Sequence, residues 1–556
     1  MRLSISAITL VWCGVARAFV PSPSRTRAQS GLVLRSTVEE EEVAAAVPTV
    51  EGVATATDAT GSMPDDSSSV GGAEAAKPGM AENAKFQCED SVEFWSSFQR
   101  EGFSTAQENL QELGNIWTRF AQMGPEALSY WLVSYASKLI SCYERGYGCG
   151  CVVLFHSHLL IDFDGINRLA FISQRHAGRS GYFGANALLG NAGFMLHERL
   201  VNNKETTFTG ALPFNMDSAV ASRLFLEAAL CYEQDYAKIE DGEYREPWDM
   251  QLGHRQSSPV NVATQTSRFI SEAIGTLGRR TRGEQKDRDT WITDPASPTL
   301  YPEYYRTAFH YQTDGWMSKK SADVYEASTE TLFLGRQDSM QRTSLPALVA
   351  QSKKLAGDER PMKVLEVAAG TGRFMTFARD NLPLDTEYTA VDLSPYYLDA
   401  ARENDKYWRK TRREEENRNG GNMGRDDIKP ARLIQAQAED LPFEDESFDA
   451  VVCVYLYHEL PRDVRAKVSA EMARVLKQDG TLVFTDSIQL GDRPALDEGL
   501  VRFEGMNEPY YMDYCADDLT AHFEKVGLEP LTKTVRSTTK MLSFWKPVCD
   551  VGDCEV

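Results

Sequence analysis

Basic residues are in short supply. The 556-residue chain carries 59 Lys and Arg against 81 Asp and Glu, a formal net charge of −22. Binding nucleic acid through its phosphates needs a local excess of cations, so the balance argues against a general nucleic-acid binder. Long apolar runs are missing too. The nearest candidates, residues 127–137 and 146–161, are bounded by Glu126 and Lys138 or broken by His156 and His158. Both fall short of the roughly 18 uncharged residues a membrane-spanning helix needs, so no transmembrane segment is expected. Cysteine is sparse: ten residues, with only Cys149 and Cys151, and Cys549 and Cys554, near one another. Neither pair belongs to a four-ligand zinc spacing, so a disulfide framework and a metal site are not expected. What is present, 42% hydrophobic and 10% aromatic residues, suits a globular chain with core enough for two or three domains.

Residues 1–38 contain no acid and five Arg, and Arg2 precedes an apolar stretch, 3–15, that ends in Ala16-Arg17-Ala18. Residues 1–18 therefore read as a signal peptide. Residues 19–38, opening with Phe19 and rich in Ser and Arg, read as a transit-like segment. Together they resemble the bipartite plastid-targeting presequence of algae with secondary plastids, and the resemblance implies a plastid location. Residues 39–84 hold ten acids, one Lys and no aromatic, and are expected to be a disordered acidic linker.

Order is expected from about Lys85. Residues 85–345 read as a mainly helical N-terminal region: apolar residues recur at helical spacing over 94–98 and 110–120, and residues 127–140 and 225–239 also look helical. Residues 146–209 give no clear pattern. From Pro361 strand and helix alternate, the mark of a parallel α/β sheet. Strands are expected at 363–368, 387–393, 432–436, 448–455 and 481–486, with a closing antiparallel hairpin at 529–535 and 540–545. Helices are expected at 374–380, 395–403, 462–476 and 517–526. The domain built from these is placed at 346–548, followed by a tail, 549–556. The charged stretch 405–429 reads as a solvated helix extension and loop.

The most informative segment is VLEVAAGTGRF, from Val364 to Phe374. A Gly pair after the first strand allows a tight turn and close backbone approach to a ligand near a helix N-terminus. A dinucleotide fingerprint would need a third Gly at 375, where Met375 stands. Glu366, just before the loop, suits a ligand with a cationic amino group better than a pyrophosphate. Asp392, twenty residues beyond Gly372, ends the second strand where a carboxylate accepts ribose hydroxyls. AEDLPF follows the third strand at 438–443, where an adenine edge can be met.

In this order the four elements resemble the class I S-adenosylmethionine-dependent methyltransferases of the small-molecule, ubiquinone/menaquinone type, over about residues 362–546. The resemblance implies an α/β fold: a Rossmann-like seven-stranded sheet with an antiparallel C-terminal hairpin, preceded by the helical region. It implies S-adenosyl-L-methionine as cofactor and a small-molecule methyl acceptor. It places Glu366, Ala368, Gly370 and Gly372 at the methionine moiety, Asp392 and Leu393 at the ribose, Ala438, Glu439 and Asp440 beside adenine, and Tyr455 near the cofactor. A second resemblance, carried by FHYQTDGW at 309–316, YLYHELP at 455–461 and DSIQLGD at 486–492, is to a group of cyanobacterial and plastid methyltransferases. There the segment before the cofactor domain packs over the site.

In-line methyl transfer needs alignment and exclusion of water, and a base only if the acceptor is protonated at its reacting atom. His458, just beyond the fourth strand, is the candidate base, with Glu459 to orient it. Its alternative is a His that shapes the loop. Tyr457, Tyr510 and Tyr511 are candidate acceptor-pocket residues, or else ordinary core. Tyr311 and Trp316 are candidates for a lid. Two further readings stay open: a non-catalytic sulfonium-binding or assembly protein, and an NADPH-dependent reductase, which Met375 and Glu366 disfavour.

Overall fold

The structure is a computed structural model. It describes residues 77–98, 218–250, 301–500 and 507–548, apart from Ala308, His310, Tyr311, Leu334 and Glu359, with a few further residues near 111–115 and 254–276. The expected signal, transit-like and most linker residues, the helices at 110–120 and 127–140, and residues 146–209 lie outside the described residues. All described residues fall within one compact unit, 73–556.

Twelve helices are described: α1 (Pro78–Glu82), α2 (Asp90–Ser97), α3 (Ser218–Glu240), α4 (Lys319–Leu332), α5 (Gln337–Gln341), α6 (Leu345–Lys354), α7 (Arg373–Asn381), α8 (Pro395–Arg418), α9 (Arg462–Val475), α10 (Asp497–Leu500), α11 (Tyr511–Ala516) and α12 (Leu519–Glu524). The strands are β1 (Gln87–Cys88), β2 (Lys363–Val367), β3 (Glu387–Asp392), β4 (Arg432–Gln435), β5 (Phe448–Val454), β6 (Leu476–Ser487), β7 (Glu529–Arg536) and β8 (Thr539–Trp545). They form one sheet in the order β1-β7-β8-β6-β5-β2-β3-β4. Only β8 runs antiparallel, to β6 on one side and β7 on the other.

The seven expected strands are present and an eighth joins them. Two residues of β1 pair in parallel with Thr532 and Lys533 of β7. The strand is invisible in sequence because it is two residues long and docks on an edge 445 residues away, Gln87 against Thr532. The fifth expected strand starts earlier than 481: α9 stops at Val475, and Leu476 already pairs with Phe448. Asp479, at φ +63°, and Gly480 lie inside this strand, opposite a register shift.

Every residue of β5 is buried, as expected of a parallel strand covered on both faces. Side chains alternate between two cores. Leu365, Val367, Val451, Cys453, Leu482 and Phe484 face the layer that contains α9 and α12. Val364, Ala450, Val452 and Val483 face α6, α7 and α8. Local chemistry fixes the helix starts: the Ser394 side chain accepts from the Tyr397 amide with Pro395 at the first helical position of α8, and Ser318 caps α4 through the Ser321 amide.

Residues before 346 share this core. Leu226, Ala229 and Leu230 of α3 are buried in the α9-side layer. Glu227 of α3 meets Arg493 at 3.0 Å, and Asp235 meets Arg536 at 2.9 Å. Order also begins before Lys85. Glu82 of α1 is buried and bonds Lys540 of β8 at 2.7 Å and Lys533 of β7 at 3.1 Å. Such pairs, once buried, cost about 3–5 kcal/mol to break by removing one partner.

Candidate active site

The carboxyl ends of β2, β3, β4 and β5 converge at one edge of the sheet, where open α/β folds bind ligands. After β2 the chain turns through three left-handed residues: Ala368 (φ +59°), Gly370 (φ +55°) and Gly372 (φ +72°). The Ala369 amide bonds the Val391 carbonyl, and the Gly372 amide bonds that of Ala369. A Cβ at Gly372 would strike Met375 Cε at 2.7 Å and Ala401 Cβ at 2.9 Å, so this Gly lets α7 and α8 close. At Gly370 the nearest atom is Tyr397 Cδ1 at 4.0 Å, which leaves the backbone approachable.

Asp392 locks this loop. Its Oδ2 accepts from the Gly370 amide at 2.8 Å and its Oδ1 from the Ser394 amide at 2.8 Å. Burial lifts its carboxyl to about 6 in spite of those amides. Glu366 lies on the α7 side of β2, fully buried, with the Tyr388 hydroxyl donating to it at 2.8 Å. Burial carries it to about 8, opposed by the Tyr388 bond and reinforced by Asp392. Leu393 is buried, and its carbonyl accepts from Gln435 Nε2 at 2.9 Å. Ala438 is half-buried against the core, whereas the Asp440 side chain faces solvent. Glu439 accepts from Tyr304 at 2.8 Å on both oxygens.

A strap, residues 301–333, crosses this edge. It bonds each neighbouring element: Tyr301 to Gln435 at 3.1 Å, Tyr304 to Glu439, the Trp316 carbonyl to the Ser394 hydroxyl, and Glu326 to Thr371 at 3.0 Å and to Asn404 at 2.7 Å. Trp316 is buried against Phe309, Tyr325 and Tyr397. Tyr311 lies outside the described residues. Sequence reasoning missed Tyr304 and Tyr305. Tyr305 and Tyr325 sit within electrostatic reach of Asp392 and Glu459. The signal available was the aromatic density of 301–316.

On the other side of β5, Tyr455 takes a left-handed conformation (φ +57°), and its hydroxyl meets Thr539 at 2.5 Å. His458 follows in a short turn, Tyr457–Glu459. Its Nδ1 lies 2.6 Å from Asp486 Oδ1, at the end of β6. Asp486 is fully buried and also accepts the amides of Leu456, Tyr457 and Ser487. Glu459 lies 3.8 Å from Nε2, so Asp486 and not Glu459 orients the ring. Burial works to lower the His458 pKa, but Asp486, then Glu459 and Glu508, overcome it and raise the ring to about 10. Tyr511 faces His458 at 6.1 Å between centroids, and its hydroxyl bonds Ser487. Tyr510 is half-buried beside the strap cluster. Tyr457 is corrected to core: it is fully buried, bonded to Ser469 of α9 and stacked on Phe523. The tight turn after β5 sends its ring inward while His458 stays at the edge.

Among the described residues no group of three His, Cys, Asp or Glu could hold a metal, and no helix is long and apolar enough to cross a membrane.

A family profile described as "Methyltransferase domain" matches residues 365–484, from β2 to β6. An uncharacterised methyltransferase of Bacillus subtilis is 40% identical over 85 residues, 15% of this chain and 32% of that protein. A phosphatidylethanolamine N-methyltransferase of Cereibacter sphaeroides is 31% identical over 184 residues, 33% of this chain and 77% of that protein. A ubiquinone/menaquinone biosynthesis C-methyltransferase of Rhizobium etli is 27% identical over 179 residues, 32% of this chain and 59% of that protein. The chain thus spans between a third and three quarters of the length of these curated relatives.

Proposed function

The chain belongs to the class I S-adenosylmethionine-dependent methyltransferases, and from that premise we propose that it methylates a small, partly apolar molecule of the quinone, pigment or lipid-derived kind, in a plastid. The observation that carries the reading is the glycine loop locked to Asp392 beneath a tyrosine-rich strap. Relatives named for a lipid and for quinones support the acceptor class. The Arg-bearing, acid-free leader supports the location.

The residues fit S-adenosylmethionine. Gly370, with no side chain, leaves an open face of backbone for a ligand to approach. Asp392 has a carboxylate already aimed by two amides, suited to a ribose diol. Glu366, lifted to about 8, regains its charge beside a cation, which the ligand carries. When bound, this cofactor supplies an electrophilic methyl carbon on a sulfonium.

The chain's own part is to bind, align and exclude water. Asp392, held in place by the Gly370 amide, fixes one end of the ligand, and Glu439, held by Tyr304, borders the other. The strap lowers the water content of the edge, which strengthens each electrostatic contact inside. Asp486 fixes the His458 ring through Nδ1 and leaves Nε2 as the nitrogen available to an acceptor. With its pKa near 10 the ring keeps both protons at neutrality, so at rest it donates. It serves as a base only after losing one.

The test is incubation of the full chain with methyl-labelled S-adenosylmethionine and a plastid extract. Label should appear in an organic-soluble small molecule and should fall at least tenfold with Asp392→Ala. No transfer by a folded, cofactor-binding sample would favour a non-catalytic role instead.

A further inference from the structure

The turn that carries His458 and the tyrosines beside it belong to separate elements, and one buried side chain joins them. Arg465 lies in the first turn of α9 with no exposure to water. Its Nε donates to the Tyr457 carbonyl at 3.0 Å and its Nη2 to the Tyr510 carbonyl at 3.1 Å. Nη1 donates to Asp513 at 2.8 Å and to Asp517 at 2.9 Å. The guanidinium carbon stands 5.6 Å from the centre of the Tyr514 ring. Burying this cation is tolerable because its N–H groups find oxygen acceptors. One planar fork therefore holds two segments: the turn Tyr457–Glu459, and residues 510–517, which include α11. From the second segment, Tyr511 and Tyr514 set their rings 6.1 and 6.2 Å from that of His458. Their hydroxyls bond Ser487, the residue after Asp486. The tyrosine wall is thus held at two ends, by Ser487 on one side and Arg465 on the other.

We propose that Arg465 is a positioning residue for the acceptor end of the site: it clamps the Tyr511 and Tyr514 wall to the His458 turn, and so sets the rate of transfer without taking part in cofactor binding. The assignment rests on the methyltransferase reading, since it names a further residue of the same site. The groups that Arg465 bonds all follow β5 or β6 in the chain, whereas the glycine loop and Asp392 follow β2 and β3. The clamp can therefore loosen while the cofactor end stays built. Charge alone does not do this work. Arg462 meets the same two aspartates from the surface, at 3.5 and 3.0 Å, and secures them without Arg465. What Arg465 adds is the pair of backbone carbonyls, one on each segment. A lysine there keeps the charge, but its single nitrogen lacks the fork that spans both.

The test is methyl transfer by the full chain to a plastid extract as labelled S-adenosylmethionine is varied, alongside NMR of the His458 ring in isotope-labelled protein. Arg465→Lys should lower the rate at saturating cofactor about tenfold and leave the half-saturating cofactor concentration within about twofold of wild type. It should also move the His458 ring resonances, because the tyrosine rings beside them shift. Arg462→Lys, which alters the ion pairs and leaves the fork in place, should change none of the three. Asp513→Asn removes one charged acceptor of the fork and should act in the same direction as Arg465→Lys, which keeps the test decisive if that variant fails to fold. A wild-type rate in Arg465→Lys overturns the clamp. So does a loss of rate and of cofactor affinity in equal proportion, a loss of rate with the His458 resonances unmoved, or an equal effect of Arg462→Lys. A folded wild type that binds S-adenosylhomocysteine and transfers no label is a different result, and overturns the functional reading beneath it.

Discussion

Asp486 accepts four hydrogen bonds with two oxygens, from the His458 ring and from three backbone amides, with no exposure to water. Burying a carboxylate so completely is tolerable because every lone pair is used. Asp486→Asn should therefore lower the His458 pKa from about 10 toward or below its ordinary 6.5, measured by NMR titration of the ring. The sign for stability follows. A pKa raised on folding contributes fully below the unfolded value of 6.5 and is lost as pH rises through about 10. The gap in urea unfolding free energy between wild type and Asp486→Asn should narrow across that window. Gly372→Ala meets both a left-handed backbone and contacts under 3 Å, and should cost about 1–3 kcal/mol in the same assay. Glu366, Gly370, Gly372 and Asp392 were legible in the sequence because one strand-turn-helix unit and its neighbour set their spacing. Asp486 was not: it lies 28 residues from His458, and only the parallel pairing of β5 with β6 brings the two together. Glu459, the sequence neighbour expected to orient the ring, stands at the opposite nitrogen.

Among the elements, the strap is the one whose position depends on side-chain bonds rather than on a sheet ladder. Tyr301, Tyr304 and Glu326 tie it to three separate loops or strand ends. Segments anchored this way open at lower free energy than the strands beneath them. Amide exchange in the described part of 301–333 should thus be faster than in β2 and β5. It should slow at least threefold when S-adenosylhomocysteine is added, and Tyr304→Phe should reduce that slowing. An unchanged exchange rate would mean that the strap does not cover the ligand. The strap was partly legible. The aromatic run announced something packed over the edge, but Trp316 and Tyr311 were singled out and Tyr304 and Tyr305 were passed over. Helical periodicity gave α3 and α8. The low-complexity composition of 39–84 concealed α1, whose order comes from Lys533 and Lys540 on the far hairpin.

At the scale of the molecule, the change of periodicity near 346 suggested a domain boundary, yet α3 shares a buried core with the sheet and pairs with Arg493 and Arg536, Ala322 of α4 packs with Tyr397 of α8, and Asp338 of α5 pairs with Arg373 of α7. A fragment of residues 346–548 would expose Arg493 and Arg536 without Glu227 and Asp235. It should show no cooperative thermal transition by circular dichroism, where the full chain shows one. A sharp transition in the fragment would mark the boundary as real. The seven strands and the closing hairpin followed from the pattern of the sequence. The tertiary pairing of distant charges did not, because no local pattern records it. The central claim is that this edge of the sheet holds S-adenosylmethionine, and its most direct test is calorimetric titration of the full chain with S-adenosylhomocysteine and, separately, NADPH, with Asp392→Ala alongside. The account predicts micromolar binding of S-adenosylhomocysteine, weakened at least tenfold by the substitution, and none of NADPH. Binding of NADPH alone would contradict it.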